Sequence, residues 1–226
     1  MDAIVANLPY MLRGLQLTFL LSIATLVGSL IGGTVFALMR MSPWWWLRWP
    51  AILYIDLVRM TPFIMVIFWV FFLIPILVGY SVNPITAALI ALIGFTTSYM
   101  AEVIRAGIQT VPSGLLEAAR SSGLGFVQAM SHVVLPIAFR NILPTLINRF
   151  VAIIMGTSLA YIIGVTEFFR AANDINNKVF RPYEIYTFVA IVYFVCCFAL
   201  SLLGRFVAQK LAHGDQRIGS ERITSD

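Results

Sequence analysis

The 226 residues are 60% hydrophobic and only 11% charged, with two cysteines and a formal net charge of +5. A soluble domain carries about a quarter charged residues, so this composition, at a mean hydropathy of +0.92, excludes a water-soluble globule and describes an all-α chain that crosses a membrane several times. The cations stand singly at the ends of apolar runs with no basic block, which excludes a nucleic-acid partner and ties the charge to topology.

In chain order, residues 1–10 are short and nearly uncharged, without a basic-then-apolar segment ending in a cleavage site, so the first helix is expected to serve as its own insertion signal. A first span is expected over about 15–39, long enough for a hydrocarbon core of about 30 Å. Gly28, Ser29, Gly32 and Gly33 form overlapping pairs of small residues four apart, which admit a close neighbouring helix within the subunit or from another one. Residues 40–50 read as a loop holding Trp44, Trp45, Trp46 and Trp49, whose indoles suit the headgroup zone. Asp56 and Arg59 share a helical face beside Thr61-Pro62 at the mouth of a second span, about 57–80. A third span covers about 84–105 and ends on another such pair, Glu102 and Arg105.

Residues 106–145 form a polar island in an otherwise apolar sequence. Leu115, Leu116, Ala119 and Leu124 recur at helical intervals, so a short amphipathic helix is expected, stopped by Gly123 and Gly125. Connections between helices are mostly a few residues long, so an island of this size points to an external partner. A fourth span, about 146–168, carries Gly156-Thr157-Ser158 near its middle. Their hydroxyls either face a solute path or bond back to their own helix. A balanced polar segment follows, Glu167 to Glu184, then a fifth span over about 185–206 and a basic tail. Cys196 and Cys197 are adjacent in this last apolar run and read as packing residues.

Five spans put the termini on opposite sides. On the island's side lie Arg40, Arg48, Arg105, Arg120, Arg140, Arg149, Arg205, Lys210, Arg217 and Arg222; on the other lie Arg13, Arg170, Lys178 and Arg181. The excess of cations belongs inside, so the N-terminus is expected outside and the C-terminus inside. No phosphate-binding Gly-Lys-Ser/Thr step, metal-ligand spacing or nucleophile elbow occurs, so no catalytic residue or metal site is expected.

The segment Glu117-Ala118-Ala119 followed by Gly123, with Leu135-Pro136 twelve residues further on, resembles the cytoplasmic EAA loop of binding-protein-dependent ABC permeases. Ser98 to Gln109, Arg59-Met60-Thr61-Pro62 and Thr157-Ser158-Leu159 are similar to segments of the polar amino acid branch, and together these cover about residues 12–210. The resemblance implies a type I ABC importer permease of five helices in the bacterial inner membrane. It implies a second permease half, identical or related, and two ATPase subunits that hold ATP and magnesium. A periplasmic or lipid-anchored amino acid binding protein completes the system.

By the same resemblance Leu116, Glu117, Ala118, Ala119, Arg120 and Gly123 couple to the ATPase. The alternative for Glu117 is a favourable interaction with its own helix N-terminus. The expected solute path takes in Arg59, Thr61, Met155, Gly156, Thr157 and Ser158. Many relatives carry a charged pair where Met155-Gly156 stands here. The spans hold no Asp or Glu at mid-depth, which suits acidic or neutral solutes such as glutamate, aspartate or glutamine. Import of basic amino acids on the same architecture is the alternative. A secondary carrier or channel is the rival class, and five spans cannot divide into the inverted repeat such carriers use.

Overall fold

The structure is a computed structural model that describes the backbone of residues 2–223 and the side chains of residues 4–206 other than Val78. Lys210, Arg217 and Arg222, which enter the charge count, therefore lie outside the described side chains. The element order is α1 (Asp2–Ala6), α2 (Leu8–Met41), α3 (Trp45–Met60), α4 (Phe63–Phe68), α5 (Ile74–Val78), α6 (Pro84–Gln109), α7 (Ser113–Ser121), α8 (Phe126–Ala129), α9 (Leu135–Thr157), α10 (Phe168–Val179) and α11 (Pro182–Ile223). No strand occurs among the described residues.

Five segments are long and apolar enough to cross: Leu8–Met41, the broken pair Trp45–Met60 with Phe63–Leu77, Pro84–Gln109, Phe126–Ile163 and Pro182–Phe206. Two expectations change. The second span is not one helix over 57–80: it starts at Trp45, within the stretch read as a loop, and turns by 110° at Thr61-Pro62. Pro62 has no N–H to continue the ladder and holds its neighbour extended; Thr61 lies at φ −97°, ψ 135°. The fourth span does not begin near 146, because helix already runs from Phe126 through the second half of what was read as island. Its Pro136 is accommodated by a π turn just before it, Met130–Val134, and Pro75 likewise follows the π turn Trp69–Leu73. A widened turn takes up the register that a proline denies the helix.

The centre of the bundle is the parallel pair α2 and α6. A Cβ on Gly28 would lie 2.7 Å from Ile93, on Gly32 2.8 Å from Thr97, and on Gly33 2.7 Å from Met100. The small-residue stripe thus packs inside the subunit, on α6, where only hydrogen at these positions lets the backbones approach. One core cluster joins Leu21, Ile67, Val70, Ala87, Ala91 and Ala160. A second, at the N-terminal end of α2, joins Met11, Phe168, Ala172, Ile175 and Ile185. The antiparallel α9 and α11 close the bundle, with Gly204 set against Ile147. Consequently the ends of α2 and α6, the starts of α3 and α9, and α7 share one end of the bundle, while α10 lies at the other.

Candidate functional site

At the α7 end the chain presents a short helix held clear of the bundle. Ala119 is its single buried side chain, and Glu117, Ala118 and Arg120 are exposed. Neither Glu117 nor Arg120 has an ion-pair partner among the described residues, so both charges face outward. The helix ends in a Schellman motif: the Leu124 N–H donates to the Ala119 carbonyl at 3.2 Å and the Gly123 N–H to the Arg120 carbonyl at 3.0 Å. Gly123 sits at φ +88° with open space around it, where a side chain costs backbone strain. Of the six expected coupling residues, four are solvent-facing, Leu116 is half-buried and Ala119 anchors the helix.

Just inward of this end, α2, α3 and α6 are tied by one carboxylate. Glu102 accepts from Arg105 at 2.9 Å and Arg40 at 3.1 Å, and lies 3.8 Å from Arg59; Arg40 also reaches Asp56 at 3.2 Å. Deeper by about one turn of α6, the ring of Tyr99 carries two guanidiniums, Arg149 at 4.3 Å and Arg59 at 5.2 Å from its centre. Such stacking gains energy as water is excluded. Phe63, Phe95, Thr96, Arg149 and Gly156 line a small cavity of about 60 Å³ against this ring, and no carboxylate lines it. Arg149 therefore faces the interior of the fourth span and not the island's side, where the charge count places it. Removing it from the charge count leaves the sign of the topology argument unchanged.

The expected path residues do not converge. Thr157 is fully buried and donates to the Ile154 carbonyl at 2.7 Å, and Ser158 donates to the Met155 carbonyl at 2.7 Å. Thr61 bonds back to Leu57 in the same way. Met155 and Ser158 open on a separate groove with Tyr186 and Tyr193. Of the six, only Gly156 lines the Tyr99 cavity, while Arg59 stacks on the Tyr99 ring. Sequence reading passes over Arg149 and Tyr99, although an arginine inside an apolar run is the expensive residue at membrane depth and is the signal for them.

At the opposite end Glu167 caps α10. Its carboxylate accepts from the Arg170 N–H at 2.7 Å, the Phe169 N–H at 2.8 Å and the Tyr193 hydroxyl at 3.2 Å. The Phe168 N–H donates to Thr18 of α2. Glu167 lies in the connection between the fourth and fifth spans and is fully buried, and burial pushes its carboxyl up to about 7.

A helical bundle that holds an arginine against a small, mostly apolar cavity and offers a charged helix outside its membrane spans suits the membrane subunit of a transporter. Residues 24–213 match the family described as binding-protein-dependent transport system inner membrane component, and the chain belongs to it. It is 32% identical to the glutamate/aspartate import permease protein GltK of Escherichia coli O157:H7, over 93% of this chain and 97% of that protein. It is 29% identical to the arginine transport system permease protein ArtQ of Bacillus subtilis, over 95% of this chain and 98% of that protein. A crystal structure of an amino acid ABC transporter with histidines superposes with a TM-score of 0.86 at 32% identity, covering 92% of this chain and 96% of that one.

The chain is thus an ABC importer permease subunit of the amino acid branch, in the inner membrane. It is not itself catalytic: ATP hydrolysis belongs to a partner ATPase, and a binding protein and a second permease complete the system.

Proposed function

We propose that this chain forms one half of the path of an uptake system for acidic or neutral polar amino acids, with glutamate, aspartate and glutamine as the substrate class. The observation that carries this is the pair of guanidiniums on Tyr99, beside a cavity that no carboxylate lines. A cation inside a membrane is costly and is kept where it meets an anion. Arg149 is the group placed to attract a carboxylate of the solute, and Gly156 leaves room opposite it. Two ATPase subunits hold ATP and magnesium, and the binding protein, periplasmic or lipid-anchored, delivers solute at the α10 end. The second half is a copy of this chain or a related one.

In this reading α7 is the coupling helix on the cytoplasmic side. Leu116, Glu117, Ala118, Ala119, Arg120 and Gly123 make up its docking face and its stop, so that closure of the ATPases on ATP moves α7 and reorients the bundle. Arg59 and Gly156 border the path, Thr61 and Thr157 shape the helices around it, and Met155 and Ser158 face the neighbouring groove.

The test is uptake of labelled glutamate, aspartate, glutamine and arginine into proteoliposomes that hold the complete importer, driven by internal ATP. Arg149→Gln should lower glutamate uptake by about tenfold or more, the loss of one charge-assisted contact, with assembly intact. Undiminished glutamate uptake in Arg149→Gln removes the assigned role. Uptake of arginine with none of glutamate replaces the acidic class by the basic one.

A further inference from the structure

The residues next to the coupling end hold a second feature that transport does not use. Arg40, Arg48 and Arg105, with Gln109, line a pocket of about 380 Å³ at the ends of α2 and α6 and the start of α3. No carboxylate lines it. The nearby acids are already committed: Glu102 meets Arg40, Arg59 and Arg105, and Asp56 meets Arg40. Arg48 is exposed and has no ion-pair partner among the described residues. Three guanidiniums line the pocket and, with Arg59 nearby, four face two carboxylates, which leaves an excess of two positive charges in the cluster that borders it.

Ile52 lines this pocket and also the wall of a groove of about 800 Å³ on the outer face of α3. That groove is mostly apolar, floored by Trp45, Trp49, Leu53 and Leu57, each more than half exposed, and its one carboxylate, Asp56, is paired with Arg40. From Trp49 to Met60 the helix extends about 16 Å at 1.5 Å per residue, long enough to lie against an acyl chain. Indoles at one end mark the headgroup level.

We propose that this composite site binds an anionic phospholipid. Its phosphate sits among Arg48, Arg40 and Arg105, and its acyl chains lie along the tryptophan-floored face of α3. Charge complementarity selects an anionic headgroup, and continuity through Ile52 selects a lipid over free phosphate. Basic pockets between membrane helices are suited to such headgroups. A bound lipid of this kind would brace the α3 start against the ends of α2 and α6, one short connection away from α7.

Three of the five tryptophans, Trp45, Trp46 and Trp49, line the groove and Trp44 stacks on Trp46, so fluorescence reports it directly. The full-length permease, with Trp69→Phe to silence the remaining indole, is reconstituted in phosphatidylcholine vesicles containing equal mole fractions of brominated phosphatidylglycerol or brominated phosphatidylcholine. Quenching should show the anionic lipid preferred by about fivefold or more, and Arg48→Gln should lower that preference by about fivefold, the effect of one arginine near the surface. Arg13→Gln, at the far end of α2, should leave it unchanged. Equal quenching by the two lipids, or an unaltered preference in Arg48→Gln, overturns the proposal. Loss of the preference on adding millimolar inorganic phosphate at constant ionic strength assigns the pocket to free phosphate and also overturns it. Failure of either lipid to quench means that a second copy of the chain covers the face, which overturns lipid binding as well.

Discussion

Among single residues, Glu167 shows how a carboxylate can be fully buried beside a membrane bundle. Two backbone N–H groups at the start of α10 and the Tyr193 hydroxyl satisfy its oxygens, and Arg170 lies close enough to offset part of the burial. Burial still dominates, and the carboxyl rises from 4.5 to about 7. The sign of the linkage follows. Below pH 4.5 the group is protonated whether the chain is folded or not. Between 4.5 and 7 only the folded form holds the proton, so stability falls as pH rises through that window and levels off above about 7. Thermal melting of the purified importer should therefore drop between pH 5 and 8. Glu167→Gln keeps an acceptor for the cap but cannot titrate, so its melting curve should be flatter over that range. An identical slope in wild type and variant would remove Glu167 as the titrating group. In sequence this residue reads as one of several charges in a balanced polar segment. Its burial is not legible there, because it depends on Thr18, Tyr193 and the glycine at position 14, against which the Glu167 carbonyl packs.

For whole elements, hydrophobic pattern decides that a helix exists but not where it bends or stops. The apolar runs locate all five spans, since each must bury or immerse about 20 residues. The break at Thr61-Pro62 is hidden, because a proline there equally suits the first turn of a continuing helix. The early start of the fourth span is hidden for a different reason. Arg140, Pro136 and Pro144 resemble loop residues, yet a helix that projects beyond the lipid can carry them on its wet face, and a π turn absorbs Pro136. The short helix α7, by contrast, is legible almost residue by residue. Its apolar spacing, its Glu-Ala-Ala run and its glycine stop each act within one or two turns, with no remote partner needed. That locality makes it separable by mutation. Glu117→Lys reverses an exposed charge with no ion-pair partner among the described residues, and Gly123→Asp forces a side chain onto φ +88°, at a cost of about 1–2 kcal/mol. Both should insert and assemble, and both should abolish solute-stimulated ATP hydrolysis in the reconstituted importer. Normal stimulation in both variants would make α7 a connector only.

At the level of the molecule, the packing of α2 on α6 bears on orientation. The two helices run parallel, in a register fixed by Gly28 against Ile93 and Gly33 against Met100. The segment between them must cross back, and the broken α3–α5 span does so. The C-terminal ends of α2 and α6 therefore share a side with α7, and α10 is forced to the other. Reassigning Arg149 to the span leaves Arg40, Arg48, Arg105, Arg120, Arg140 and Arg205 at the α7 end, against Arg13, Arg170, Lys178 and Arg181 around α10. Positive charge is retained on the cytoplasmic side, and an ATPase can reach only a helix exposed there. Reporter fusions after Met41 and after Ser122 should consequently read as cytoplasmic, and a fusion at Asn176, within α10, as external. A cytoplasmic signal at Asn176 would overturn this orientation at its root: α10 and α7 would share a side, and the fourth span, Phe126–Ile163, could not cross.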